Sequence, residues 1–175
     1  MTNNLSPQLI ADQAKHVYQA GDYPAAVQAF ADAASAFAEA GDGPMSAEMK
    51  NNQSVALLRD KQAQAAVDVA RGTDEVFTEI SDSRRQGMAL ANQASALEAL
   101  KRNKEAIDFY IRAGVALEKA GEVDFRLEVM QLLSALYLRC LKLFDAIIAL
   151  QSGLAAVQNP TKKQRFMKKF LFFRL

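Results

Sequence analysis

The sequence predicts an all-α protein, an α-solenoid of four stacked antiparallel helix pairs followed by one further helix at the C-terminus. Three observations carry that prediction. The first is a repeat of 40 residues: Ala26, Ala66, Ala106 and Ala146 recur in similar frames, Ala25-Ala26-Val27, Ala65-Ala66-Val67, Glu105-Ala106-Ile107 and Asp145-Ala146-Ile147. The register also aligns the small residues Ala14, Ser54, Ala94 and Ser134 and the apolar residues Val17, Leu57, Leu97 and Tyr137. A further apolar row reads Phe37, Phe77, Leu117 and Val157, and the acids Asp42, Asp82 and Glu122 follow it. Self-similarity at such a period marks stacked supersecondary units that bury their apolar faces on one another. The second observation is an apolar period of 3.6 inside each unit. The third is that helix breakers are few, 8 Gly and 4 Pro in 175 residues.

Eight helices are expected at about 7–20, 23–40, 44–59, 62–80, 83–100, 103–120, 123–140 and 143–158, and a ninth at about 161–173. The units run roughly 5–42, 43–82, 83–122 and 123–160, a four-repeat domain over 1–160 with a C-terminal helix over 161–175. Gly21 ends the first helix, and Asp22 before Tyr23-Pro24 opens the second, where proline is tolerated because its missing N–H has no partner in a first turn. Gly41 ends the second helix, and Gly43-Pro44 opens the third in the same way. The frame around Ala66 places the fourth helix. Leu90, Ala94, Leu97 and Leu100 line one face of the fifth, and Asn103 is the expected cap of the sixth, lined by Ile107, Tyr110, Gly114 and Leu117. Gly121 then separates it from the seventh and eighth, which follow the register. In the ninth, Thr161 with Gln164 three residues on forms a capping-box pattern.

The small rows have a packing reason. Ala14, Ser54, Ala94 and Ser134 let the first helix of a pair approach its partner, and Ala26, Ala66, Ala106 and Ala146 do the same from the second. Phe30, Tyr110 and Leu150 then fill the space between pairs. A longer side chain at a small position costs about 1–3 kcal/mol in overpacking.

The runs Gly21-Asp22-Tyr23-Pro24-Ala25-Ala26-Val27-Gln28-Ala29-Phe30 and Asn103-Lys104-Glu105-Ala106-Ile107-Asp108-Phe109-Tyr110, followed by Ala33 and Ala113, resemble the tetratricopeptide repeat (TPR) signature. That family's usual unit is about 34 residues. The longer spacing is similar to a variant found in cargo adaptors and cell-polarity scaffolds, and implies extra residues in the second helix of each pair. The likeness covers residues 5–158. Unit two departs from it with Ala70 and Thr73 in place of a large and a small residue, and unit four with Gly153. HEAT and armadillo arrays share the period, but the paired small positions favour the tetratricopeptide reading, which implies a right-handed superhelix.

Catalytic and metal chemistry are poorly served. His16 is the sole histidine, one turn after Asp12 and so placed for a local ion pair, while Cys140 is the sole cysteine, far along the array. Structural zinc wants four Cys or His ligands, and the acids lack calcium-loop spacing. Neither a P-loop nor a dinucleotide fingerprint is present. The expectation is a non-catalytic protein with no cofactor and no metal. With one cysteine, no leader pattern at the N-terminus and no apolar run long enough to span a bilayer, a cytoplasmic location is expected.

Charge divides the chain. Residues 161–175 carry Lys162, Lys163, Arg165, Lys168, Lys169 and Arg174 and no acid, so with the whole chain at +1 residues 1–160 stand at −5. An acidic body disfavours nucleic acid as a partner. The expected partner is a protein or peptide.

In tetratricopeptide arrays the first helices line a concave groove, and the resemblance implies which residues face it here. They are Gln8, Asp12, Lys15 and Tyr18 in unit one and Glu48, Asn51, Asn52 and Arg59 in unit two; unit three adds Asn92, Ser95 and Glu98, and unit four Glu128, Gln131 and Arg139. Asn52 and Asn92 share one row, where their amides suit the backbone of an extended peptide, and Gln13, Gln53 and Gln93 share the next. The alternative for the glutamines is bonding to loop backbone between repeats. The family's carboxylate clamp does not carry over, since Ala11 and Lys15 stand where lysine and asparagine are needed and only Asn52 coincides.

For the tail three readings compete. Phe166, Met167, Phe170, Leu171 and Phe173 fall on one broad face with the lysines mostly opposite. This suits a cap shielding Ile147, Leu150 and Leu154, the commonest fate of such a helix in a solenoid. It equally suits a helix on an anionic membrane surface, or self-association into a homo-oligomer through the acidic body of another copy. Phe172 lies off that face and Leu175 is the last residue, which favours the second and third readings.

Overall fold

The computed structural model describes residues 6–172, and among them every regular element is an α-helix. These are α1 (Pro7–Gln19), α2 (Tyr23–Glu39), α3 (Gly43–Arg59), α4 (Ala63–Ala70), α5 (Thr73–Glu79), α6 (Ser83–Ala99), α7 (Asn103–Lys119), α8 (Val123–Arg139), α9 (Leu143–Ala155) and α10 (Lys162–Phe172). Apart from α4 and α5, each helix packs on the next along the chain, and α6 also lies directly against α3 and α4. Residue 173, expected on the apolar face of the last helix as Phe173, lies outside the described residues, as do Arg174 and Leu175.

The joints repeat every 20 residues. Gly21, Gly41, Lys61, Ser81, Lys101, Gly121 and Leu141 all adopt a left-handed backbone, with φ from 58° to 83°. At Gly41 the N–H bonds the Ala38 carbonyl at 3.0 Å and the next N–H, of Asp42, bonds the Phe37 carbonyl at 2.9 Å. The same two bonds close the joints at Lys61, Ser81, Lys101, Gly121 and Leu141, so each helix end satisfies its last carbonyls in a Schellman motif. First helices reach the length of second ones: α3, α6 and α8 have 17 residues each, as have α2 and α7. The extra length over the usual tetratricopeptide unit is therefore not confined to the second helix.

Three helix starts are capped by aspartates, whereas Glu122 at the start of α8 makes no cap bond. Asp22, Asp42 and Asp82 accept the N–H groups of Ala25, Met45 and Arg85 at 3.2, 3.0 and 2.9 Å. Asn103 is not the cap of its helix; Arg102 holds that position, and its guanidinium pairs with Glu105 at 2.6 and 2.8 Å.

Within pairs the small rows sit at the contact. Ala14, Ser54, Ala94, Ala26, Ala66 and Ala106 are fully buried. Ser54 donates to the Ala66 carbonyl at 3.0 Å and Ser134 to the Ala146 carbonyl at 2.8 Å, so these hydroxyls permit close approach without an orphan donor. Gly153 is a point of close approach: a Cβ there would stand 2.8 Å from the Cβ of Met130.

The helix expected over 62–80 is two helices. The chain leaves α4 at Arg71 (φ −57°, ψ 130°), turns through Gly72 at φ +76° and restarts at Thr73. The break falls between the two departures of unit two. Ala70 replaces the large residue that anchors the middle of the helix elsewhere (Phe30, Tyr110, Leu150), and Thr73 and Asp74 replace the small residues of the seam. Both polar residues are buried and find partners there. The Thr73 hydroxyl lies 2.7 Å from the Ala70 carbonyl and 3.2 Å from Asn51 Oδ1, and Asp74 accepts from Gln93 at 2.8 Å and Arg112 at 3.1 Å.

Helix α10 covers the end of the last pair. Met167 and Leu171 join Leu127, Leu154 and Val157 in a small core, and Gln151 donates to the Leu171 carbonyl at 2.7 Å. The capping box forms, with the Thr161 N–H on Gln164 Oε1 at 2.7 Å and the Gln164 N–H on Thr161 Oγ1 at 3.3 Å. The single apolar face does not: Phe166 and Phe170 point away, 71% and 65% exposed.

A candidate peptide groove between the first helices

The first helices of units two and three meet where α3 packs on α6. An opening of about 110 Å³ is lined there by Glu48, Asn51 and Asn52 from α3, by Arg84, Arg85, Met88, Ala89 and Asn92 from α6, and by Phe77 at its floor. Four of the residues assigned to the groove from sequence, Glu48, Asn51, Asn52 and Asn92, thus come together. Their roles differ. Asn51 is buried, donates to the Ala47 carbonyl at 3.2 Å and lies against Thr73, so its amide is spent on the fold. Asn52 and Asn92 are half-buried, and among the described residues their amides make no hydrogen bond.

Arg84, Arg85 and Met88 complete this opening and were not assigned to it from sequence. Arg85 bonds Asp82 at 2.6 Å and Glu48 at 3.4 Å, and its guanidinium lies 5.0 Å from the Phe77 ring centroid. Burial opposes its charge, but bonds to the two carboxylates outweigh that, and its pKa is raised. Asp82 answers with a carboxyl held below its ordinary value, first by the Arg85 N–H it caps and then by the guanidinium. Arg84 pairs with Glu122 at 2.7 Å while its guanidinium lies over Phe125. The signal available in sequence was the Asp82–Arg85 spacing, a helix cap followed by a cation one turn on.

A second polar cluster joins units three and four. Ser95 lies 3.1 Å from the Tyr110 hydroxyl, which donates to Glu98 at 3.2 Å, and Arg139 donates to the other oxygen of Glu98. Burial, and then the charge of Glu98, push the Tyr110 phenol up to about 12. Unit one contributes less. Asp12 is engaged by Lys15 at 3.6 Å and by Gln8 at 3.0 Å, not by His16, and Tyr18 packs on Tyr23 and Phe30. Arg59, Glu128 and Gln131 are exposed, outside both clusters. Of the glutamine row, Gln93 bridges repeats as expected but bonds the Asp74 side chain, not loop backbone.

No protein-family model matches the chain, and no curated protein does. Solved structures do. One is described as the crystal structure of a Podosopora anserina putative kinesin light chain with nearly identical TPR-like repeats: TM-score 0.75 at 15% identity, covering 97% of this chain and 88% of that one. A second crystal structure, of a singly substituted form of the same protein, gives 0.75 at 14% identity, covering 97% and 87%. At such identity the likeness concerns the fold. This chain has the fold of a TPR-like repeat array, an all-α solenoid of helix pairs.

Proposed function

We propose that the protein is a non-catalytic interaction scaffold whose groove between α3 and α6 binds an extended peptide. TPR-like arrays in general bind protein partners, which supports the broad reading. The observation that carries the finer one is the pair Asn52 and Asn92. They stand on successive first helices, beside one opening, with amides unused by the fold. An amide offers a donor and an acceptor together, which matches one peptide unit of an extended backbone irrespective of its side chains. Met88 and Phe77 supply apolar contact beside the two amides.

Selection of peptides from a random display library on the intact protein tests this. Selected peptides should bind the Asn52→Ala/Asn92→Ala variant at least tenfold more weakly, with the thermal midpoint unchanged because neither amide serves the fold. Peptides that bind parent and variant alike would place recognition elsewhere.

A further inference from the structure

The outer surface of the last unit departs from the three before it. At one register position Pro24, Gln64 and Lys104 give way to Phe144; at another Gln28, Asp68 and Asp108 give way to Ile148. At the joint Gly21, Lys61 and Lys101 give way to Leu141. In the earlier units this surface carries polar pairs, such as Gln28 on Asp32 at 2.8 Å and Arg71 on Asp68 at 3.0 Å. Leu141, Phe144 and Ile148 are instead 92%, 81% and 61% exposed.

Helix α10 extends the same departure. Its inner side is spent on the fold: Met167 and Leu171 pack on the last pair, and the Lys168 amine donates to the Val157 carbonyl at 2.7 Å. Phe166 and Phe170, one turn apart, are left on the outer side, and helical spacing puts Lys162, Lys163 and Lys169 beside them, all exposed. The lysines therefore share the phenylalanine face, contrary to the opposition expected from sequence. Residues 141–172 hold six cations and a single acid, Asp145, and among the described residues none of those cations pairs with a carboxylate.

We infer that this outer face of α10 docks on an anionic lipid surface, the phenylalanines entering the headgroup boundary and the lysines meeting lipid phosphates and carboxylates. Basic side chains flanking exposed aromatics on one helical face are the arrangement that an interface of low polarity and negative charge selects. A second copy of the chain offers a poorer complement. The acids of the body are dispersed, and ten of them (Asp12, Glu48, Asp68, Asp74, Asp82, Glu98, Glu105, Asp108, Glu118 and Glu122) are already held in ion pairs. No described helix is long and apolar enough to cross a membrane, so attachment stays at the surface.

The test is sedimentation of the intact chain with vesicles of phosphatidylcholine alone or mixed with phosphatidylserine. Binding should require phosphatidylserine and weaken with salt. Lys162→Gln/Lys163→Gln/Lys169→Gln should weaken it on the order of 100-fold, at about fivefold per lysine, and Phe166→Ser/Phe170→Ser should also abolish sedimentation. Both variants alter exposed side chains and should keep the parent's thermal midpoint. The Asn52→Ala/Asn92→Ala variant should bind vesicles normally, which separates this surface from the groove. The inference is overturned if the parent ignores phosphatidylserine, if both α10 variants bind like the parent, or if the same substitutions instead abolish a lipid-free, concentration-dependent rise in mass.

Discussion

Units two and three occupy equivalent places in the array and differ at one anchoring position. In unit three Tyr110 is 1% exposed, fills the space between pairs and reaches Ser95 and Glu98 with its hydroxyl, and α7 runs unbroken. In unit two Ala70 stands there, and the helix stops at it. Yet α4 and α5 together end at Glu79, in register with Glu39 and Lys119, so the break inserts no residue. The array keeps its 40-residue period through the break, and the interrupted second helix is the one whose central side chain is an alanine.

Removing the anchor from unit three is the strongest way to break that contrast. Tyr110→Ala should cost about 3–5 kcal/mol, read from urea melts, as for other fully buried aromatics. A loss below about 1 kcal/mol would mean that the anchor does not matter. The hydroxyl gives a second handle. The phenol titrates near 10 in an unfolded chain and near 12 here, so the folded form keeps its proton longer. That stability is fully present below pH 10 and is lost as pH rises from 10 to 12, on the order of 2–3 kcal/mol. Tyr110→Phe should remove this alkaline step, and persistence of the step in the variant would assign it to other groups.

The polar seam of unit two yields a smaller effect of a different kind. Asp74 is buried between Gln93 and Arg112, where units one and three carry Ala34 and Gly114. Asp74→Ala strands the Gln93 amide and should cost about 2 kcal/mol. Asp74→Ala/Gln93→Ala removes both partners and should recover part of it. A double variant as unstable as the sum of the two singles would show that the pair is not coupled.

Gly72 tests whether the break is imposed by the backbone or by the missing anchor. At φ +76° an alanine there costs about 1–2 kcal/mol if the turn persists. Circular dichroism separates the outcomes. Lost stability at constant helicity supports a break dictated by Ala70, Thr73 and Asp74. Gained helicity with gained stability would mean that Gly72 alone holds α4 and α5 apart.

Much of this was legible in the sequence because it rests on residue type at fixed spacing. The 40-residue rows, the helix opening at Asp22 and the Thr161–Gln164 box are of that kind. The break was legible as an anomaly, Ala70 with Thr73, but not as a consequence, because whether a helix survives a missing anchor depends on the neighbours its polar residues find. At the opening between α3 and α6, Asn51, Asn52 and Asn92 share a lining as register implied, but that the fold holds the Asn51 amide was not legible, because its partner Thr73 is distant in sequence. The two faces of α10 were merged because helical spacing alone does not say which side meets the preceding pair.

Least legible of all was the 20-residue half-period. Only three of its seven joints carry glycine; Lys61, Ser81, Lys101 and Leu141 take the left-handed backbone without that mark. Their conformation is imposed by the paired hydrogen bonds to the end of the preceding helix, such as Arg102 N–H on the Leu97 carbonyl at 2.9 Å. An L-residue there is strained, and Lys101 is exposed with nothing to offset the strain by packing. Lys101→Gly should therefore stabilise the protein by about 0.5–1 kcal/mol, the relief of strain being partly offset by the freedom glycine gains when unfolded. The same substitution three residues on, Lys104→Gly in the first turn of α7, should destabilise by up to about 1 kcal/mol, the cost of glycine in a helix interior. Opposite signs from two neighbouring exposed lysines, measured by thermal and urea melts, would identify the joint as the element that sets the half-period. Equal signs would leave the joints as passive connectors and return the period to the small rows alone.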